Sequence, residues 1–278
     1  MALIEFKNVS FSYPKSEHTT LRNLNLSIEA GEFVCILGAN GSGKSTLARH
    51  INALLLPDEG DVLVAGMSTL DKKSVRKIRQ KAGMIFQNPE NQAVASIVKD
   101  DVAFGPENLG LEPAEIRERV AEALETVHMS NKAENDIFDL SGGEKQRIAI
   151  AGVLAMKPEI LIMDEPSAML DERSHRGIMR VAHELHKSGI TIVMITHNMD
   201  DAAGASRVVV LEDGEIFLQG SPHEVFCKEN AADLRRINLG MPRPAELAMQ
   251  LNEQGVSLND LPLSTSELVS AIVEQLKK

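Results

Sequence analysis

The feature that most constrains this chain is the run Gly38-Ala39-Asn40-Gly41-Ser42-Gly43-Lys44-Ser45-Thr46. Through Ser45 it fits the phosphate-loop pattern G-x-x-x-x-G-K-[ST]. Before it, residues 33–37 are continuously apolar, as a strand covered on both faces must be. After it, Leu47, Ile51 and Leu54 recur at a helical spacing and predict a helix with one buried face. Strand, glycine turn and helix in that order point to a parallel α/β core whose helix start faces a ligand. Glycines let backbone N–H groups turn inward around a phosphate, and the helix amino end adds partial positive charge. In such a loop Lys44 reaches the outer phosphates and the Ser45 hydroxyl holds Mg²⁺.

Two further apolar runs, residues 160–163 and 190–195, read as buried parallel strands, with Ile178, Val181 and Leu185 marking the helix between them. The first of these strands ends in Asp164-Glu165. Carboxylates at the carboxyl end of a buried parallel strand lie where α/β folds bind ligands. Asp164 suits a magnesium shell, and Glu165, one residue on, suits an attacking water.

The amino-terminal part alternates differently. Ile4, Phe6 and Val9, then Leu21, Leu24, Leu26 and Ile28, predict half-buried strands of an antiparallel subdomain. Residues 88–157 read as largely helical, with amphipathic helices over 114–127 and 144–156. Residues 208–211 and 216–218 flank Asp213-Gly214 and predict a hairpin. Beyond about residue 230 come two short helical patterns, 244–251 and 265–276, punctuated by Pro242, Pro244, Gly255 and Pro262. The expected division is a domain over 1–230 and a helical extension over 231–278. The extension is too small for a robust core of its own and must pack on the main body or on a second subunit; a dimer contact is favoured.

With 43% hydrophobic and 25% charged residues the chain has the make-up of a globular protein. Lys plus Arg number 29 and Asp plus Glu 40, a net charge of −11, which argues against a nucleic-acid-coating protein and leaves room for one local phosphate pocket. Aromatic residues are only 3%, with no Trp and a single Tyr, so the core must be aliphatic. Cys35 and Cys227 are too few for a disulfide framework. No basic-then-apolar leader opens the chain, and no apolar run approaches the roughly 18 residues a membrane span needs. A soluble protein is expected, with any membrane role acting through a partner.

Leu140-Ser141-Gly142-Gly143-Glu144 is the most discriminating motif. Ser141 to Glu144 can be a plain capping box. Yet two glycines in a first turn sacrifice helix propensity, which makes sense if backbone must approach an anion there.

Taken together, residues 1–230 resemble the nucleotide-binding subunit of an ATP-binding-cassette (ABC) transporter, with the marks of that family in order. The resemblance implies a P-loop α/β fold with an antiparallel subdomain, a helical subdomain and, here, a carboxyl-terminal helical extension. It implies ATP bound by Gly38, Asn40, Gly41, Ser42, Gly43, Lys44, Ser45 and Thr46, with Tyr13 stacked on adenine. Gln87 links the site to the transporter and joins Ser45 and Asp164 around Mg²⁺, while Glu165, His197, Gln87 and Lys44 serve hydrolysis. Ser141, Gly142, Gly143, Glu144 and Asp171 reach the ATP of a second ATPase subunit, self or paralogue, across a head-to-tail interface.

The stretch between Gln87 and Ser141 is too short for the long coiled coil of chromosome-maintenance ATPases, and there is one cassette, not two. Gln87-Asn88-Pro89-Glu90-Asn91-Gln92, the segment 100–108 and the tail from Leu239-Gly240-Met241-Pro242 resemble the energy-coupling factor ATPases of the EcfA or CbiO type. That group energises importers of vitamins or transition-metal ions. It works with a transmembrane coupling subunit of the EcfT/CbiQ type and a substrate-binding membrane subunit, on the cytoplasmic face of the membrane. Asp100, Asp101 and Glu107, with Gln87, are then candidates to contact the coupling subunit, a solvated acidic face being the other reading. The alternatives are the ATPase of another ABC importer, or a soluble ABC ATPase outside transport.

Overall fold

Side chains on successive strand residues point to opposite faces, so a strand apolar at every position must be covered twice. The computed structural model, which describes residues 2–15, 18–256, 258 and 261–277, meets that demand strictly. In chain order the elements are β1 (Ile4–Phe11), β2 (Leu21–Ile28), β3 (Phe33–Gly38), α1 (Lys44–Ile51), β4 (Glu59–Val64), β5 (Met67–Ser68), α2 (Val75–Lys81) and β6 (Ala82–Ile85). A helical block follows, with α3 (Val98–Leu109), α4 (Pro113–Thr126) and α5 (Gly142–Leu154). Then come β7 (Ile160–Asp164), α6 (Glu172–Lys187), β8 (Thr191–Ile195), α7 (Met199–Ala203), β9 (Arg207–Glu212) and β10 (Glu215–Gly220). Helices α8 (Pro222–Val225), α9 (Ala231–Arg236), α10 (Arg243–Glu253) and α11 (Thr265–Leu276) close the chain.

One sheet runs β2-β1-β4-β5 and is antiparallel throughout; the other runs β10-β9-β3-β8-β7-β6, parallel from β9 to β6. Phe33, Cys35 and Leu37 of β3, Leu161 and Met163 of β7, and Ile192 and Met194 of β8 join the apolar cluster shared with α3 to α6. Their neighbours Val34, Ile36, Ile160, Ile162, Val193 and Ile195 join a second cluster, between the two sheets and around α1. Each such fully buried aliphatic side chain is worth about 1.5–3 kcal/mol, and these two aliphatic layers fix the parallel strand ends that carry the site.

The helix after the glycine loop is shorter than the sequence pattern suggests. It ends at Ile51, Ala53 turns left-handed at φ 54°, and Leu54 is 44% exposed instead of sharing the buried face with Leu47 and Ile51. Arg79 of α2 caps this helix end, donating to the Ala53 carbonyl at 3.0 Å. Strands β4, β5 and β6 and helix α2 are among the elements that go beyond what the sequence pattern announces. They complete the antiparallel sheet and supply the edge strand from which Gln87 emerges.

The carboxyl-terminal extension packs on its own chain. Leu239, Met241, Ala245, Ala248, Leu258, Leu261, Leu263 and Leu268 belong to the same cluster as Val208, Val225 and Phe226. Left uncovered are Leu247 of α10 and a stripe on α11, with Val269 54%, Val273 43% and Leu276 82% exposed. None of the described helices is long and apolar enough to cross a membrane.

Candidate active site

The phosphate loop is built to leave donors free. Gly43 precedes α1 with φ 102°, and no side chain caps the helix start. A Cβ at Gly43 would lie 2.9 Å from the Thr20 carbonyl and 2.8 Å from Leu21, so both conformation and space require glycine. The first-turn N–H groups of α1 thus face the loop without a side-chain acceptor of their own. Lys44 is buried and folds back, donating to the carbonyls of Gly38 at 2.8 Å and Ala39 at 2.9 Å. Burial pulls its ammonium below the ordinary lysine value, against the opposing pull of Glu165 and Asp164. Ser42 is buried in the loop, and Asn40 and Gly41 are exposed at its tip. Tyr13 lies beside this helix, its hydroxyl 3.1 Å from Thr46 Oγ1 and its ring edge-on to Phe11 at 5.0 Å.

The carboxyl ends of β6, β7 and β8 are adjacent, and they bring Gln87, Asp164-Glu165 and His197 together. Ser45 Oγ donates to Asp164 Oδ1 at 3.0 Å. Burial raises the Asp164 carboxyl above its ordinary value, opposed by that Ser45 hydrogen bond and reinforced by Glu165. Glu165 itself is left-handed, φ 50°, with its N–H bonded to the Ile195 carbonyl at 3.0 Å. This sharp turn of the backbone at the strand end sets the Glu165 side chain between β6 and β8. Its carboxylate accepts from Gln87 Nε2 at 2.9 Å and is paired with His197 Nε2.

Ser141 and Glu144 form a complete capping box at the start of α5, with Glu144 Oε2 accepting from the Ser141 N–H at 2.9 Å and from its hydroxyl at 2.8 Å. Asp171 caps α6 one way only, its side chain accepting from the Ser174 N–H at 2.8 Å. The two helix starts touch. A Cβ on Gly143 would lie 2.5 Å from Ser174 Oγ, and one on Gly142 would lie 3.4 Å from Leu170. Tight packing of α5 on α6 therefore leaves no room for a side chain at Gly143.

A family model described as "ABC transporter" matches residues 21–168. The energy-coupling factor transporter ATP-binding protein EcfA1 of Clostridium novyi is 50% identical over 276 residues, covering 98% of both chains. The cobalt import ATP-binding protein CbiO of Syntrophus aciditrophicus is 44% identical, covering 92% of this chain and 91% of its own. Among solved structures, CbiO1 of Clostridium perfringens, part of the ABC transporter complex CbiONQ, superposes with a TM-score of 0.77 at 37% identity, over 90% of this chain and 99% of that one. The chain belongs to the ABC transporter family. Within it, the chain stands with the energy-coupling factor ATP-binding subunits. The ABC cassette MJ0796, a dimer in a post-hydrolysis state bound to ADP and Pi, matches with a TM-score of 0.71 at 34% identity, over 79% of this chain and 98% of its own.

The acidic residues singled out for coupling do not share one face of this ABC ATPase. Asp101 lines a groove of about 830 Å³ between α2, α3 and α5, together with Phe104, Phe138 and Gln92. Its Oδ1 is already engaged, accepting from the N–H groups of Val94 at 2.7 Å and Ala95 at 3.1 Å. Asp100 and Glu107 line a separate hollow between α3 and α4. Sequence reasoning also passed over three residues beside His197. His175, Asp201 and Thr196 are linked in one buried chain of hydrogen bonds, and no residue spacing announces it.

Proposed function

We propose that this chain is the ATP-hydrolysing subunit of an energy-coupling factor importer for a vitamin or a transition-metal ion, working at the cytoplasmic face of the membrane through membrane subunits. The observation that carries the chemistry is the Glu165 carboxylate, held between Gln87 and His197 beside the Ser45–Asp164 pair. A carboxylate so placed can accept the proton of a water as its oxygen bonds to the terminal phosphorus, while the bridging oxygen leaves with ADP. Lys44 leaves its two loop carbonyls for the phosphates, and the free N–H groups of α1 carry the rest of the polyphosphate charge. Tyr13 supports the adenine ring, with Phe11 behind it.

Ser45 and Asp164 present hard oxygens 3.0 Å apart, which suits the small protein share of a magnesium shell. Among the described residues no cluster of three His, Cys, Asp or Glu suits a metal held by protein alone. Ser45, Asp164 and the Gln87 amide oxygen would hold the ion, which when bound neutralises phosphate charge.

In the working assembly a second ATPase subunit faces this one. Ser141, Gly142, Gly143, Glu144 and Asp171, already rigid as helix caps, would close over the partner's nucleotide. The α11 stripe of Val269, Val273 and Leu276 is the natural second contact of that pair. The groove lined by Phe104 and Phe138 suits a helix of an EcfT/CbiQ-type coupling subunit, with Asp101 shaping its wall instead of pairing outward. A substrate-binding membrane subunit completes the complex and chooses the cargo. The test is Glu165→Gln in the full chain. ATP binding persists, turnover falls by about a thousandfold and a closed dimer accumulates in ATP. Full turnover by that variant overturns the reading.

A further inference from the structure

His197 is flanked by Thr196, bonded to a buried carboxylate, and by Asn198, bonded to Thr196. Thr196 Oγ1 donates to Asp201 Oδ2 at 3.0 Å, and the Asn198 N–H donates to the same Thr196 hydroxyl at 3.0 Å. Thr196 and Asp201 are 5% and 6% exposed. Asp201 Oδ1 is bound by His175 Nε2 at 2.8 Å, with that histidine side chain only 15% exposed. His175 stands in the first turn of α6, whose cap is Asp171. The same pocket wall therefore holds His175, Thr196, His197 and Glu165.

We propose that His175 is a positioning residue for ATP hydrolysis, setting the place of His197 through Asp201 and Thr196 and tying it to the start of α6. The inference rests on the assignment of His197 to the hydrolysis site. His175 has its Nε2 committed to Asp201, so it does not itself engage the reacting atoms. Its effect is geometric. With His175 gone, Asp201 loses the partner that fixes Oδ1, Thr196 loses a fixed acceptor, and the His197 ring is no longer locked against Glu165. Small misplacements of this kind cost tenfold to a hundredfold in rate without changing affinity.

Three variants of the full chain test this: His175→Leu, which removes the donor; His175→Gln, which keeps a neutral donor; and Thr196→Val, which cuts the chain at its far end while leaving His175 on Asp201. The readouts are kcat and KM for ATP, and the ring resonance of His197 by NMR on histidine-labelled protein. His175→Leu and Thr196→Val should each lower kcat by about tenfold or more, with KM within twofold and the His197 resonance displaced. His175→Gln should stay within about threefold of the parent, resonance included. Should His175→Leu fail to fold, Thr196→Val alone carries the test. Unchanged kcat overturns the proposal, as does a loss of kcat with an unmoved His197 resonance or with a parallel rise in KM. Glu165→Gln, run alongside, separates the two claims: if it keeps full turnover the hydrolysis site itself is misassigned, whereas its inactivity beside an active Thr196→Val rejects only the role of His175.

Discussion

Gly143 sits where two explanations compete, approach to a phosphate across an interface and close packing of α5 on α6. The second is measurable within one chain. A methyl at this position would meet both Ser174 Oγ, at 2.5 Å, and Ser174 Cβ, at 2.6 Å. Overpacking of this kind costs about 1–3 kcal/mol. Gly143→Ala should therefore lower the unfolding midpoint by several degrees, and adding Ser174→Gly should restore it. If the double variant is as unstable as the single, packing is not the reason for the glycine. Turnover of the double variant then reports what the glycine does for nucleotide alone. The phosphate loop and the Asp164-Glu165 pair were legible because each stands at the end of an apolar strand, whereas His197 came from the family resemblance alone. Asp201, on the short helix α7, and His175, in the first turn of α6, were not legible, since a carboxylate and an imidazole near helix starts look solvated until the fold buries them.

At the scale of elements, sequence periodicity revealed those with one clear face. Helices α4, α5, α10 and α11 and the β9–β10 hairpin stand close to their expected bounds, and α6 carries Ile178, Val181 and Leu185 as expected. Strands β4 and β6 escaped for local reasons. β4 opens Glu59-Gly60-Asp61 before its apolar half, and β6 is four residues long with Gly83 inside it, packed against Val153. The start of α5 also carries a titration. The Ser141 N–H and then its hydroxyl hold the Glu144 carboxyl below the ordinary value of 4.5. A carboxyl depressed on folding contributes stability above its unfolded value and loses it as pH falls through the folded one. Denaturant unfolding of the chain and of Glu144→Ala should therefore differ most near neutral pH, and the gap should close as pH drops below 4.5. A gap that stays constant would mean the cap acts without its charge.

For the whole molecule, the extension decides how the parts hold together. Its buried leucines and Met241 complete the apolar cluster that also holds Val208 and Phe226. Removing residues from 239 onward should lower the unfolding midpoint by about 10 °C or more, since several aliphatic side chains lose their cover. Val269→Asp with Val273→Asp, on the exposed α11 stripe, should leave that midpoint within about 2 °C and weaken self-association in sedimentation. Equal loss in both experiments would show the stripe to be part of the fold, not of a pairing surface. The placement of Tyr13 has one more consequence. The chain contains no Trp and one Tyr, and that ring stands against Phe11 with its hydroxyl on the helix that follows the phosphate loop. With no Trp, the tyrosine emission of the chain comes from this one ring, away from the weaker bands of its eight Phe. The intrinsic emission of this protein is a local signal, and titrating ATP against it reads the site without any label.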